Sequence, residues 1–374
     1  MKFPLSDSLH AKKGSFLLDP MKTKNFYLVI LFAASTIVAI WLLSNPTPNF
    51  QTIVKETNKH INSIKNLPSS IKHAKELDDV DPEYLELLGF RDGSSSRRED
   101  DERFPSKENV NLPVIASGVE PGQYKQVIDL LESVHRYLPH SLLILYDLDI
   151  DSSENVMLKK HCNNTKSCIL TPFDFKRYPS HLKDLSTKSY RPLCIQEILN
   201  RYGGVIWADS SEHFITNKMN QSVTQARTIG LVAWTIKEPT SSLTHPKMFQ
   251  YFKTKPENYY FHRAVESSHL IVFNLDRIHH QLMLPWVRCA LTQECISPTG
   301  AQNVGCNYQR KPLFRYSGCH RYDMSALNVI LGLLFNFNTK HYTARQQVFG
   351  VLNKERISGK NLTAPLYISK LRYL

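Results

Sequence analysis

Apolar residues along this chain alternate between short continuous runs and repeats at helical spacing. The runs Leu112–Ala116 and Leu142–Tyr146 predict two buried strands, and the intervening Gln123–Leu138 has its apolar side chains on one helical face. Strand, helix and strand within about forty residues form a βαβ unit, which implies a parallel sheet and a right-handed crossover. The pattern therefore predicts an α/β fold with a mixed sheet and flanking helices.

The same alternation continues in the second half of the chain. We predict further strands at Cys168–Thr171, Thr228–Trp234 and Leu270–Phe273, and further helices at Val156–His161, Met248–Phe252 and Ile278–Leu291, the last interrupted by Pro285.

The central stretch, Tyr190–Phe214, is the most informative. A helical segment, Leu193–Tyr202, is stopped by a glycine pair and followed by the strand Val205–Trp207. The strand ends in Asp209, an acidic residue at the edge where open α/β sheets bind ligands. Asp209 either holds a divalent ion, helped by nearby hydroxyls, or caps a turn after a buried strand.

A second stretch, Arg315–Leu334, places Asp323 at the start of an apolar helical repeat. Asp323 is either an N-cap or a carboxylate of the active site, and the two roles are compatible. His320, shortly before it, is a candidate metal ligand as a neutral imidazole, or a surface histidine. Asp147 and Asp149, which follow the second strand, are expected to cap a turn.

The order of helix, Tyr-Gly-Gly, apolar strand and acidic cluster resembles the core of GT-A glycosyltransferases. The local sequence Trp207–Ser211 resembles that of the DUF1647-type family of animal membrane proteins. The resemblance implies a GT-A-like, Rossmann-type fold that transfers a sugar from a nucleotide-sugar donor to a glycan or protein acceptor. The Asp-x-Asp motif of such enzymes binds manganese, but here only Asp209 keeps its carboxylate, so Mn²⁺ remains an open cofactor.

The resemblance also assigns roles to individual residues. Asp209 is expected to face the metal and the donor diphosphate, together with Ser210 and Ser211, and Asp323 is expected to act as the catalytic base. The remaining donor contacts that the resemblance implies are Ser117 and Gly118 at the end of the first strand, for the nucleotide base. Arg191, just before the central helical segment, either neutralises charge on the leaving group, as basic residues do in phosphate chemistry, or forms a structural salt bridge.

The N-terminal part of the chain has a different pattern. Phe26–Leu43 carries no charged residue and is long enough for a helix of roughly 27 Å, which just spans a bilayer core. More lysines precede it than follow it, which favours a cytoplasmic N-terminus. We predict a cytoplasmic tail (1–25), a signal anchor (26–43), a stem (44–109) and a lumenal domain (110–374), hence a single-pass type II protein of the Golgi membrane; a cleaved signal peptide is the alternative.

The formal net charge of +12 suits an anionic ligand or surface, such as a nucleotide diphosphate. Nucleic acid is not expected as a partner, because the anchor places the domain away from it. The seven cysteines all follow the anchor, and the odd count leaves at least one unpaired. The candidate disulfides are Cys162–Cys168, Cys289–Cys295 and Cys306–Cys319, with Cys194 as the free thiol. Glycosylation sequons occur at Asn163, Asn220 and Asn361.

The leading hypothesis is thus a nucleotide-sugar-dependent transferase. The alternative is a catalytically degenerate, membrane-anchored binding protein on the same scaffold, favoured by the missing second aspartate and by Met324 where the resembling signature has glutamine. A methyltransferase is a weaker third possibility, because Ser117–Gly122 is a poor version of the glycine-rich loop that it would need.

Overall fold

The computed structural model describes residues 31–37, 80–90, 113–165 and 167–351. The chain divides into two compact units, Met1–Asn66 and Leu67–Leu374, and in the first of these residues 31–37 are helical. None of the helices in the described ranges is long and apolar enough to cross a membrane. Most of the predicted anchor, Phe26–Leu43, lies outside those ranges, as do the predicted tail and most of the predicted stem.

The strands are β1 (Val114–Val119), β2 (Leu143–Asp147), β3 (Cys168–Pro172), β4 (Gly204–Ala208), β5 (Glu212–Phe214), β6 (Leu231–Val232), β7 (Thr235–Pro239), β8 (Arg263–Val265), β9 (His269–Phe273) and β10 (Phe349–Val351). The helices are α1 (Pro82–Leu87), α2 (Tyr124–Tyr137), α3 (Ser152–Thr165), α4 (Tyr190–Tyr202), α5 (Asn220–Ile229), α6 (Thr240–Leu243), α7 (Pro246–Tyr251), α8 (Asp276–Ile278), α9 (Leu284–Leu291), α10 (Gln293–Ile296) and α11 (Tyr322–Leu334).

A six-stranded sheet in the order β3-β2-β1-β4-β9-β6 forms the centre of the fold. Strands β1 to β4 pair in parallel, whereas β9 is antiparallel to both β4 and β6. The chain moves outward from β1 through β2 to β3 and then returns to the other side of β1 for β4. The order therefore reverses at β1 and β4, and their carboxyl ends flank the switch-point crevice at which open α/β sheets bind ligands. The predicted α/β fold with a parallel-rich mixed sheet is confirmed.

Both faces of this sheet are buried, which explains why its strands read as continuous apolar runs. Val114 and Ala116 belong to the core on one face, together with Trp207, and Ile115 belongs to the core on the other face, together with Ile206. The first core includes the apolar side of α4, so the helix lies against the sheet and its first residues reach the carboxyl edge of β1 and β4.

Helix α1 comes from the region predicted as stem and packs on the domain. Val80 and Leu88 are buried, and the side-chain amides of Gln196 and Asn200 on α4 donate hydrogen bonds to the Leu88 carbonyl. This part of the predicted stem therefore docks on the folded domain.

Three elements differ from the predictions for local reasons. Strand β1 continues to Val119, so Ser117 and Gly118 lie inside the strand instead of following it. Residues Thr228 and Ile229 end the unpredicted helix α5, and Gly230, at φ +97°, turns the chain into the short β6. Pro285 does not break the helix that contains it, because the preceding turn, His279–Met283, widens to a π-helix.

All three predicted disulfides are present, and Cys194 is the buried free cysteine among the described residues. The exposed Asn163 lies within α3, and the exposed Asn220 is the first residue of α5. Asn361 lies outside the described residues.

Candidate active site

The candidate site is centred on Arg191, the second residue of α4. Its side chain is only 3% exposed, at the edge of the sheet where β4 ends. Arg191 Nε and Nη2 donate to the two carboxylate oxygens of Asp209, at 3.2 and 2.5 Å. Its Nη1 donates to Ser267 Oγ at 2.9 Å and to Asp323 Oδ2. One guanidinium thus joins α4, the end of β4, the start of α11 and the residue two positions before β9.

The charge of Arg191 is fixed by this environment. Burial alone would lower the pKa of the guanidinium, but Asp209 and Asp323 more than offset that effect and hold the pKa well above its ordinary value. A buried guanidinium with two carboxylate partners is a permanent cation.

Asp209 is held from three directions. Besides the two bonds from Arg191, Trp207 Nε1 donates to Asp209 Oδ1 at 2.8 Å, and the backbone N–H of Asp209 donates to the Ser268 carbonyl at 2.7 Å. Its side chain remains 17% exposed. Its carboxylate bonds two side chains and not the amides of a turn, so the alternative of a simple turn cap does not describe it.

Asp323 occupies the second position of α11, where the N-cap position belongs to Arg321. Of the two alternatives for Asp323, the N-cap is therefore wrong, because its carboxylate pairs with Arg191 and accepts a hydrogen bond from Ser267. Burial raises the pKa of Asp323, against the opposing effect of Arg191. The buried Asn328 fixes the same helix to β8, with its side chain bonding both backbone groups of Val265.

A second ion pair lies at the end of β1. Lys188 Nζ donates to Glu120 Oε1, which also accepts a bond of 2.7 Å from the hydroxyl of Tyr190. Lys188 and Glu120 are partly exposed, with side-chain exposures of 30% and 15%. Gly118 leaves room for Tyr190, because a Cβ on this glycine would lie 2.7 Å from the tyrosine ring. Glu120, the residue directly after β1, therefore lies nearer the rim than the predicted Ser117 and Gly118, which are buried inside the strand.

The predicted donor contacts differ in how accessible they are. Ser117 is fully buried inside β1, and its hydroxyl has no hydrogen-bond partner among the described residues, so its expected contact with a nucleotide base is not supported. Gly118 is buried beside it. Ser210 is also buried, and its hydroxyl donates to Gln123 Oε1. Ser211 is exposed.

His320 is buried away from any metal role. Its Nδ1 accepts a hydrogen bond of 3.1 Å from the His245 backbone N–H, and its Nε2 faces the Ile296 carbonyl at 3.0 Å. Burial lowers the pKa of His320 to about 3, so the ring is neutral with its proton on Nε2. Neither nitrogen is left for a metal ion, which argues against the predicted ligand role and against the surface alternative.

Three further residues at this edge have no sequence signal of comparable strength. His269, at the start of β9, lies 3.3 Å from Glu212 of β5, and both side chains are almost fully buried. Glu266 is half-buried between β8 and β9, and no hydrogen bond to its carboxylate is found in the described part of the chain. Burial raises the pKa of Glu266, with support from Glu212 and opposition from His269. The β8–β9 connection brings Glu266 and His269 to Asp209, whereas Glu212 follows Asp209 by three positions in the chain.

The residues present fit a divalent metal poorly. In the described ranges, no group of three or more His, Cys, Asp or Glu side chains is arranged to hold one. Both oxygens of Asp209 face the Arg191 cation. At an effective dielectric of 20, two unit charges 4 Å apart repel by about 4 kcal/mol, so a divalent ion bound here would meet about twice that repulsion.

A small cavity of about 10 Å³ lies elsewhere, where α2 meets the amino ends of β2 and β3. It is lined by residues such as Leu138, Leu143 and Cys168. This is the opposite edge of the sheet from Asp209. It contains none of the charged side chains described above.

A family model described as "Protein of unknown function (DUF1647)" matches residues 83–196. The predicted resemblance to this family is confirmed over that range, which is less than a third of the chain and contains Arg191 but neither Asp209 nor Asp323. A search of curated proteins found no significant match to the sequence.

Several solved glycosyltransferases resemble the structure. They include the bifunctional glycosyltransferase WbbM (TM-score 0.35, 11% identity, 59% of this chain and 37% of that chain). Mouse xyloside xylosyltransferase 1 matches with a TM-score of 0.33 and 10% identity over 62% of this chain and 83% of that one. A Pyrobaculum calidifontis mannosyltransferase, solved with GDP-Man and Mn²⁺, matches with a TM-score of 0.28 and 10% identity over 48% of each chain. The chain spans less than two thirds of the length of WbbM and of the mannosyltransferase.

Proposed function

We propose that this chain is a nucleotide-sugar-dependent glycosyltransferase with a GT-A-like fold, whose donor binds at the carboxyl edge of β1 and β4. The observation that carries the proposal is the position of the Arg191–Asp209–Asp323 cluster. It lies beside the crevice where the strand order of a parallel-rich sheet reverses, and that crevice is the usual ligand site of such sheets.

The partly exposed groups at the rim suit a nucleotide diphosphate. Lys188 uses one of the three N–H donors of its ammonium on Glu120, and the exposed Ser211 adds a hydroxyl. An ammonium group and a hydroxyl can both donate hydrogen bonds to phosphate oxygens, and such bonds to an anion are charge-assisted. Arg191 itself is too deeply buried, and too fully bonded, to lie against the diphosphate. It stabilises Asp209 instead.

The group best placed to accept the proton of an acceptor hydroxyl is Glu266. Its carboxylate is partly accessible, and its raised pKa brings it nearer to the range that suits a general base. Asp323, the base that the resemblance implies, is 2% exposed and bonded to Arg191, which leaves it a positioning role. An acceptor O–H would lose its proton to Glu266 as the oxygen attacks the sugar carbon and the nucleotide diphosphate leaves.

The proposal includes the cellular arrangement that the sequence predicts: a type II protein of the Golgi membrane with residues 110–374 in the lumen. The three disulfides support an oxidising compartment, because such bonds persist in secreted and lumenal proteins and are rare in the cytosol. The acceptor is then a glycan or a glycoprotein. Because α1 packs on the domain, the folded part of the described chain includes the segment that begins at Val80.

The experiment that tests the activity is a donor panel. Full-length protein is incubated with UDP-, GDP- and CMP-sugars, and both hydrolysis and nucleotide binding are measured for the wild type, Glu266→Gln and Arg277→Ala. Arg277 is a control far from the site, with its side chain bonded to the Leu334 carbonyl. We expect binding to at least one nucleotide in all three proteins, and loss of turnover in Glu266→Gln alone. Failure of every nucleotide to bind the wild type would remove the proposal.

The second candidate is a lumenal binding protein on the same scaffold that has lost catalysis. The occupation of both Asp209 oxygens by Arg191 and Trp207 favours it, because a carboxylate so engaged has little capacity for a donor complex. Retained binding to a glycan array, with no nucleotide bound and no sugar transferred, would support this alternative.

A further inference from the structure

The oxygen atoms around the Arg191 guanidinium form the kind of ligand set that hard divalent cations use. Two carboxylates and one hydroxyl converge from three separate elements: Asp209 after β4, Asp323 in α11 and Ser267 before β9. Carboxylate and hydroxyl oxygens are preferred by Mg²⁺ and Mn²⁺. In this chain the positive charge at the centre of the set is an arginine side chain.

The Arg191 guanidinium is a fixed part of this site, because most of its hydrogen-bond donors have partners and its side chain is buried. Four of its five N–H donors have partners: one each on Nε and Nη2, and two on Nη1. Its side chain is 3% exposed, and it projects from the first turn of a helix that is itself part of the core. Moving the guanidinium aside would leave two carboxylates unpaired, one of them buried.

We propose that Arg191 is the resident cation of this site, standing where a divalent metal would otherwise bind between Asp209 and Asp323, so that the two aspartates bind no metal ion. A corollary, which rests on the proposed function, is that a nucleotide diphosphate binds here without a divalent cation. Its phosphate oxygens would then be met by Lys188 and Ser211 at the rim and not by a metal bridge.

If Arg191 occupies a cation site, the variant Arg191→Ala should have that site empty. Removing the guanidinium opens a space between two carboxylates that is lined by oxygen atoms. Such a space should take up the ion that the arginine excludes. Arg191→Ala should therefore gain affinity for Mn²⁺, whereas loss of an arginine elsewhere should not.

The test uses Mn²⁺ alone, measured by electron paramagnetic resonance of the free ion and by thermal unfolding with and without MnCl₂. The full-length proteins are the wild type, Arg191→Ala, the double variant Arg191→Ala/Asp209→Asn, and Arg277→Ala as the matched control. We expect Arg191→Ala to bind Mn²⁺ at least about tenfold more tightly than the wild type, and to recover thermal stability when Mn²⁺ is added. The double variant and Arg277→Ala should behave like the wild type toward the metal.

Two results would overturn the proposal. One is Mn²⁺ binding by the wild type that Asp209→Asn abolishes, which can be measured even if Arg191→Ala does not fold. The other is a folded Arg191→Ala protein with no gain in Mn²⁺ affinity. Nucleotide binding is measured separately in EDTA and in Mn²⁺. No binding in either condition refutes the proposed function and leaves the metal result standing, whereas binding in Mn²⁺ alone refutes the corollary.

Discussion

Arg191 and Asp323 are separated by 132 positions in the sequence and form a buried ion pair, with both side chains 3% exposed. The pair connects the first turn of α4 to the first turn of α11, and Asp209 joins it from the end of β4. Three segments that are distant in sequence are thus fixed relative to one another by a single guanidinium. The geometry of the candidate site depends on this arrangement.

The two aspartates should contribute unequally to stability. Asp323→Asn is expected to lower the free energy of unfolding by about 3 kcal/mol, because it leaves the buried Arg191 short of a charged partner. Asp209→Asn should cost less, since the side chain is 17% exposed and water can replace part of the lost interaction. Urea unfolding followed by tryptophan fluorescence measures both. Equal losses would show that burial does not set the strength of these pairs.

Gly118 should tolerate no larger side chain. In Gly118→Ala the new Cβ would lie 2.7 Å from the Tyr190 ring and 2.9 Å from Leu148, both of which are buried. We expect a loss of about 1–3 kcal/mol from overpacking and a displaced Tyr190 hydroxyl, which bonds Glu120. Chemical denaturation gives the first quantity. Gly122→Ala is the control for space, since nothing lies within 4 Å of its Cβ position, although its φ of +81° adds backbone strain of its own.

The sequence allowed the elements around Asp209 to be predicted, because each depends on local chemistry. Gly203, at φ +76°, ends α4 as a glycine in the left-handed region should, and the apolar run after it forms β4. The short spacings of the cysteines likewise indicated the correct pairs.

The partnership of Arg191 with Asp323 was not predictable in the same way. An aspartate near the start of a helix has the same local pattern whether it caps the helix or pairs with a distant arginine, and only the tertiary fold decides. Glu266 also had no motif of its own, because its role depends on the antiparallel strand β9, which places the β8–β9 connection beside Asp209. The long β1 was predicted too short for a related reason: its small residues Ser117 and Gly118 suggest a turn, whereas parallel pairing with β2 continues through them.

Glu266 should affect catalysis and not folding. Glu266→Gln keeps the shape of the side chain and removes the proton acceptor, so we expect transfer to slow by about 10²–10⁴-fold with nucleotide binding unchanged. The turnover number and the nucleotide dissociation constant, each measured across a range of pH, separate the two effects. The wild-type turnover number should fall at acid pH as Glu266 becomes protonated. An unchanged turnover number in Glu266→Gln would assign the proton transfer to another group.

Stability should decrease in mild acid because of the buried His262. This ring lies between Thr240 and Tyr342, at 2.8 Å from each hydroxyl, and burial lowers its pKa to about 4. Its pKa in the unfolded chain is near 6.5, so the unfolded state binds more protons between those values. Neutral His262 therefore contributes about 3 kcal/mol to the free energy of unfolding above about pH 6.5, and this contribution is lost as the pH falls toward 4. Thermal unfolding from pH 7 to 4 should show a shallower slope for His262→Gln than for the wild type.

The contact of Leu88 with α4 should matter to the whole domain. Leu88 is 2% exposed, and its replacement by alanine removes buried apolar surface, at an expected cost of about 2–4 kcal/mol. Glu83→Ala, at an exposed position in the first turn of α1, is the control and should change stability by less than about 1 kcal/mol. If the two variants unfold at the same urea concentration, α1 contributes no stability to the domain.

The docking of α1 also decides where mechanical load enters the protein. Gln196 and Asn200 donate hydrogen bonds to the Leu88 carbonyl, and both belong to α4, which carries Arg191 in its first turn. A pull on the chain ahead of Val80 is therefore received by the contact between α1 and α4 before it reaches any strand. A tether attached at that end would hold the protein by the helix that organises its charged centre, and tension in the tether would act first on the geometry of that centre.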